Sequence, residues 1–117
     1  MMTTKRSDRG ALPAADFDKR VTRRLRVVLA WCRKEHIDVT PGLEVSEAVA
    51  ARIIGYGPDR GETLAVQRAE GRVSPLLRFR QLGRGYLYDL HSCAVFIEEK
   101  YDRMLDESLS RDAGTTK

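Results

Sequence analysis

Residues 74–88, SPLLRFRQLGRGYLY, set Arg78, Arg80 and Arg84 among Leu76, Leu77, Phe79, Tyr86 and Tyr88. The apolar residues point to a structured ribbon rather than a loose basic tail. Pro75 starts a strand that runs through Arg80, Gln81 to Gly85 make a glycine-containing turn, and Tyr86 to Tyr88 return. Gly83 and Gly85 flank Arg84, so the loop can hold positive φ and approach another surface closely. Three arginines on such a ribbon imply that this surface is negative.

Upstream of the ribbon, the pattern is helical. Leu43 to Gly55 reads as a short helix with Ser46 as N-cap, Val49, Ala50, Ile53 and Ile54 as its buried side, and Gly55 as its stop. Tyr56 to Asp59 is a turn. Asp59 or Arg60 opens a second helix, which continues through Glu62–Glu70 and ends at Gly71. Two short helices joined by a glycine-containing turn make a helix-turn-helix outline. Downstream, Asp89 caps a last helix in which Leu90, Cys93, Ala94, Ile97, Tyr101 and Leu105 keep a 3.6-residue period.

A longer helix precedes all of this, from a cap at Asp16 to about Glu35. Phe17, Val21, Leu25, Val28, Leu29 and Cys32 form its apolar stripe, and Lys19, Arg20, Arg23, Arg24 and Arg26 take much of the remaining surface. Such a basic amphipathic helix suits packing on the domain first, and a membrane, a nucleic acid or a partner second. Trp31 flanks the stripe, next to the core or a dimer contact. His36 to Gly42 is a connector broken by Pro41 and Gly42. Residues 1–14 read as a disordered basic arm and 108–117 as a polar tail, leaving one domain over 15–107 with its core in 43–99.

Charge is distributed in blocks. Residues 1–36 hold ten Lys/Arg against four Asp/Glu, 37–58 one against three, 59–86 six against three, and 87–117 four against seven. Alternating blocks suit an anionic polymer better than a uniform solubility coat does. Cys32 and Cys93 suggest core residues rather than a disulfide framework, and hence a reducing, cytoplasmic setting. No apolar run approaches the roughly 20 residues of a membrane span, and MMTTKRSDRG lacks the apolar segment of a secretory signal.

Enzymatic chemistry has little footing. His36 and His91 have no Ser or Cys nucleophile at motif spacing, and neither a phosphate loop nor a paired-carboxylate motif is present. Cys32 and His36 sit one helical turn apart, but His91 and Cys93 would point to opposite sides, so four zinc ligands do not converge. The sequence therefore implies no catalytic residue, no metal and no cofactor.

Helix, turn, helix, two-stranded wing, helix is the order of a winged helix-turn-helix. Residues 43–99 resemble the MerR-superfamily, excisionase-like DNA-binding domain. The pieces that carry the resemblance are Ala51-Arg-Ile-Ile-Gly55, Thr63-Leu64, Glu70-Gly-Arg72, Gly83-Arg-Gly-Tyr86, Asp89-Leu90 and Phe96-Ile97-Glu98. The segment from Gly55 to Thr63 is a few residues longer than the family's usual turn, and Gln67 stands where an aromatic residue is common. The resemblance implies a second helix in the major groove and a wing beside it. Arg60, Gln67 and Arg72 then belong to the recognition element, and Arg78, Arg80 and Arg84 to the wing. Arg68 is read instead as packing its stem beside Leu64. The expectation is a mainly α chain with a small β-hairpin that binds double-stranded DNA as a homodimer. Its role is that of a transcription regulator or an excisionase-type architectural factor. The alternative is a small inhibitor or adaptor that binds proteins through the basic N-terminal helix.

Overall fold

The computed structural model describes the backbone of residues 4–56 and 62–115 and the side chains of residues 16–56 and 62–107. Its elements are α1 (Thr4–Lys34), β1 (Glu44–Ser46), α2 (Glu47–Ile53), α3 (Glu62–Ala69), β2 (Phe79–Leu82), β3 (Gly85–Asp89) and α4 (Leu90–Thr115). The chain is mainly helical, with a small antiparallel sheet of order β1-β3-β2.

Helix ends follow local chemistry. Ser46 is the N-cap of α2, its hydroxyl accepting from the Val49 N–H at 3.3 Å, and Asp89 caps α4 by accepting from the Ser92 N–H at 2.8 Å. Each cap is worth about 1 kcal/mol. Gly55 and Gly71 take φ of 85° and 70° just past α2 and α3. At both sites the next N–H reaches back five residues, Tyr56 to the Ala51 carbonyl (2.9 Å) and Arg72 to that of Gln67 (2.7 Å). These are Schellman closures, which satisfy the last helical carbonyls. His36 performs the same service for α1 at φ 57°, with Ile37 N–H on the Cys32 carbonyl at 2.8 Å.

Several boundaries depart from the sequence reading. α1 begins at Thr4, so helical backbone extends through the stretch expected to be a disordered arm. Lys5, Arg6, Arg9, Ala11, Leu12 and Ala14 favour helix there, against Gly10 and Pro13. Asp16 is consequently interior to α1, where it pairs with Arg20 one turn on at 3.3 Å instead of capping. α4 likewise continues to Thr115, past the expected fraying point at Ser108.

The ribbon is shifted too. Ser74 to Leu77 closes a turn, Leu77 N–H on the Ser74 carbonyl at 3.0 Å, and the strand starts only at Phe79. Leu82 pairs with Gly85 across a two-residue loop. Gly83 holds φ 62° while Arg84 stays outside the positive-φ region, the type II′ pattern that needs glycine first. Gly85 needs no special conformation. The third strand, β1, occupies what was read as the start of a helix. It pairs Glu44 with Asp89, Val45 with Tyr88 and Ser46 with Leu87, and Thr40 sets it up by bonding Glu44 through both backbone and side chain.

One core joins these parts. Val28 and Cys32 from α1, Val45, Ala50, Ala51 and Ile54, Leu64 from α3, Leu77, Tyr88, Leu90 and Cys93 form a single buried cluster. Burying each large apolar side chain is worth about 1.5–3 kcal/mol. Both cysteines are free and buried, and burial, with Asp89 adding, pushes the Cys93 thiol up to about 12.

α1 lies along α4. Arg20 reaches Glu98 at 3.1 Å and Asp102 at 2.7 Å, and Arg24 reaches Glu98 at 2.9 Å. Glu98 is only 6% exposed and needs this pairing, since a buried carboxylate without a cation is costly. Arg20 and Arg24, assigned to the outer basic surface by their sequence, are therefore clamps on the inner side. The apolar stripe of α1 is likewise covered within the chain, with Val21, Val28 and Cys32 buried and Leu25, Leu29 and Trp31 packed on the core.

Candidate nucleic-acid interface

A shallow cleft of about 390 Å³ joins the α2 N-terminus, α3 and the tip of the hairpin. Ser46, Glu47, Glu62, Ala65, Arg68, Arg84 and Tyr86 are among its lining residues. The sequence reading thus brought together two elements that the fold also brings together.

On α3, orientation follows from Leu64, which is fully buried. Residues three and four positions on share its face, so Gln67 and Arg68 turn inward. The Tyr56 hydroxyl and the Gln67 side-chain oxygen are 3.3 Å apart, so Gln67 occupies a packing position as a hydrogen-bond acceptor. Arg68 grips Glu47 with both arms, at 2.6 and 3.1 Å, and its guanidinium lies 3.6 Å from the Tyr86 ring centroid. Tyr88, wholly buried, donates its hydroxyl to the same Glu47 at 2.7 Å. Burial raises the Glu47 carboxyl, but Arg68 and Tyr88 outweigh it and hold it below the usual range. Burial, followed by the Glu47 contact, pushes the Tyr88 phenol well up. This network ties α2, α3 and β3 together.

The outer face of α3 carries Glu62, Thr63, Val66, Ala69 and Glu70. Val66, half exposed at 50%, was passed over in the sequence. The signal was available: it stands two residues from buried Leu64, on the opposite side of the helix. Arg72, just past α3, bonds Glu70 at 2.7 Å. Arg60 lies outside the described residues.

Along the hairpin, the three arginines divide. Arg80 is held by Glu44 in a two-armed pair at 2.7 and 3.0 Å, which keeps the Glu44 carboxyl below its usual range. Arg78 is anchored by its backbone, its N–H on the Ser92 hydroxyl at 3.0 Å and its carbonyl on the Asp89 N–H at 2.9 Å. Its side chain is 73% exposed, with only a 3.7 Å approach to Asp89. Arg84 sits exposed on the loop and pairs with no carboxylate among the described residues. At the end of the hairpin away from this loop, Phe79 stacks on Tyr88 at 5.2 Å and meets Tyr86 edge-on at 6.0 Å, which stiffens the ribbon.

The arrangement is a helix pair with a hairpin beside it, followed by a long helix. Compared with protein-family models, curated proteins and solved structures, the chain matches none. No described helix is long and apolar enough to cross a membrane.

Proposed function

We propose that this chain binds double-stranded DNA, the hairpin gripping the backbone beside α3, as a transcription regulator or an excisionase-type architectural factor. The observation that carries this reading is the wing itself. Arg78 and Arg84 project from a rigid, aromatic-stacked hairpin whose tip borders the same cleft as α3. Arginine's fork matches phosphate oxygens, and a glycine-turned tip allows close approach. Arg72 is held by the exposed Glu70 and Arg80 by the mostly covered Glu44, and each exchanges its carboxylate for a phosphate on binding. Base reading falls to the outer face of α3, where Val66 suits the methyl group of thymine and Glu62 or Glu70 suits the amino group of cytosine. Gln67 supports the helix from behind.

The working species in this reading is a homodimer, which places two such units on two half-sites. The stripe of α1 is spent inside the chain, so the contact falls to those of the exposed apolar groups that lie on α1 and α4, Val27, Tyr101, Met104 and Leu105. Sedimentation across micromolar concentrations tests it, and a monomer both free and on DNA refutes it.

The second reading, a protein-binding adaptor, draws on a cleft of about 340 Å³ lined by Ile53, Ile97, Tyr101 and Met104, with Arg24 and Lys100 at its edge. Salt separates the two. DNA binding weakens steeply as salt rises because counterions are released, whereas an apolar protein contact hardly responds.

A further inference from the structure

We infer that the outward face of α1 is a second surface for the DNA backbone, separate from the wing. Lys19, Arg23, Arg26, Arg33 and Lys34 are all exposed, and none pairs with a carboxylate among the described residues. Lys19, Arg26 and Arg33 are one heptad apart and drift by only about 20° per heptad around the helix. Arg23 lies about 50° to one side of that line, and Lys34, next to Arg33, about 100° round from it on the same side. At 1.5 Å per residue the ridge is about 21 Å long, which matches roughly six base-pair steps of 3.4 Å along one strand.

Two comparisons within the molecule set this ridge apart from an ordinary solvated face. The exposed side of α4 mixes signs, with Glu99 paired to Arg103 at 2.8 Å and Lys100 close to Asp106 and Glu107 in sequence. The ridge is mostly cationic, with Asp18 the acidic residue beside Lys19, Arg23 and Arg26, and Lys19–Arg23 and Arg23–Arg26 stand at the spacings where like charges oppose a helix. Meanwhile Arg20 and Arg24, on the side of the helix that faces α4, are committed to Glu98 and Asp102. They fix which side of α1 faces out, so the cations of the ridge are presented on a preset side.

The partner is a polyanion rather than a lipid surface. A basic helix that lies in a membrane interface buries its apolar face there, and the apolar face of α1 is already occupied by the core. What remains among the described residues of α1 is charge with Val27 as its one large exposed apolar side chain, too small an anchor for a membrane, which fits a phosphate backbone. This inference deepens the DNA-binding reading and rests on it.

The test uses the full chain and a labelled 20-base-pair duplex of random sequence, with affinity followed by anisotropy across salt concentrations. One variant joins Arg23→Gln and Arg26→Gln; a second joins Arg78→Ala and Arg84→Ala; a third makes Arg23 and Arg26 both lysine. The ridge variant should flatten the salt slope by about 1.8, two phosphates' worth. The lysine variant should keep the wild-type slope, and the combined ridge and wing variant should lose both contributions. A wild-type slope in the glutamine variant, with the wing variant impaired, overturns the ridge and leaves the wing reading intact. Failure of the wild type to bind any duplex overturns both. Vesicles of mixed phosphatidylcholine and phosphatidylglycerol form the last arm. Vesicle binding that needs Arg23 and Arg26, with duplex binding indifferent to them, overturns the choice of DNA.

Discussion

Arg68 on α3 and Arg84 on the hairpin line one cleft, yet they spend their charge differently. Arg68 lies between a carboxylate and an aromatic ring, with Nε and Nη2 both bonded to Glu47. Arg84 stands on a two-residue loop with its donors open to solvent. The same residue type is a structural brace in one case and a free contact in the other. What separates them is position relative to a buried neighbour. Arg68 is four residues from Leu64 and inherits its inward face, while Arg84 follows a glycine whose φ turns the chain outward. α1 repeats the lesson, since Arg20 and Arg24 face Glu98 while Arg23 and Arg26 face water. Net charge along the chain says little about which cations a ligand meets.

The difference can be broken by substitution. Glu47→Ala should have the largest effect, because it leaves the Arg68 guanidinium and the buried Tyr88 hydroxyl without their acceptor. We expect a loss of about 3 kcal/mol, at the lower end for breaking a buried ion pair, measured by urea denaturation. Arg68→Ala should cost about 2 kcal/mol in the same assay, for lost charge-assisted bonds to Glu47. Arg84→Ala should stay within about 0.5 kcal/mol of wild type. Equal costs at the two arginines would erase the distinction between brace and contact.

Acid should expose the same network. The Glu47 carboxyl titrates lower in the folded chain than in the unfolded one, where it is near about 4.3. Between the two values the unfolded state binds more protons, so stability falls as pH drops below about 5. The contribution is complete above that value. Glu47→Gln should remove this part of the acid dependence while keeping the side chain's shape. A stability curve in the variant that parallels wild type down to pH 3 would mean that other carboxylates dominate.

The smallest expected effect on stability among the braced residues is at Gln67. Its single bond to Tyr56 is worth about 1 kcal/mol at most. Gln67→Ala should therefore leave a folded chain. If Gln67 only supports α3, specific and random duplexes should lose affinity together. A selective loss on one sequence would instead make it a base reader.

Local signals in the sequence carried much of the fold. The caps at Ser46 and Asp89 and the stops at Gly55 and Gly71 were legible because each depends on chemistry within a few residues. The strand β1 was not, since three residues have no period and Glu44 to Ser46 become a strand only by pairing with residues 87–89. The clamps on Glu98 were hidden for the same reason, with Arg20 and Arg24 some 78 and 74 residues away. At the candidate interface, Arg78 and Arg84 were legible as exposed hairpin residues. The Gln67 contact was not, because its partner is the Tyr56 hydroxyl, eleven residues back along the chain.

The wing is the part of the account on which the proposed function stands, and Arg84→Ala tests it most directly. Affinity for a selected duplex and for a random duplex should be measured for wild type and variant between about 50 and 200 mM salt. Parallel losses on both duplexes are expected, with a salt slope flatter by about 0.9, one phosphate contact, and unchanged stability. Wild-type affinity and slope on both duplexes would contradict it.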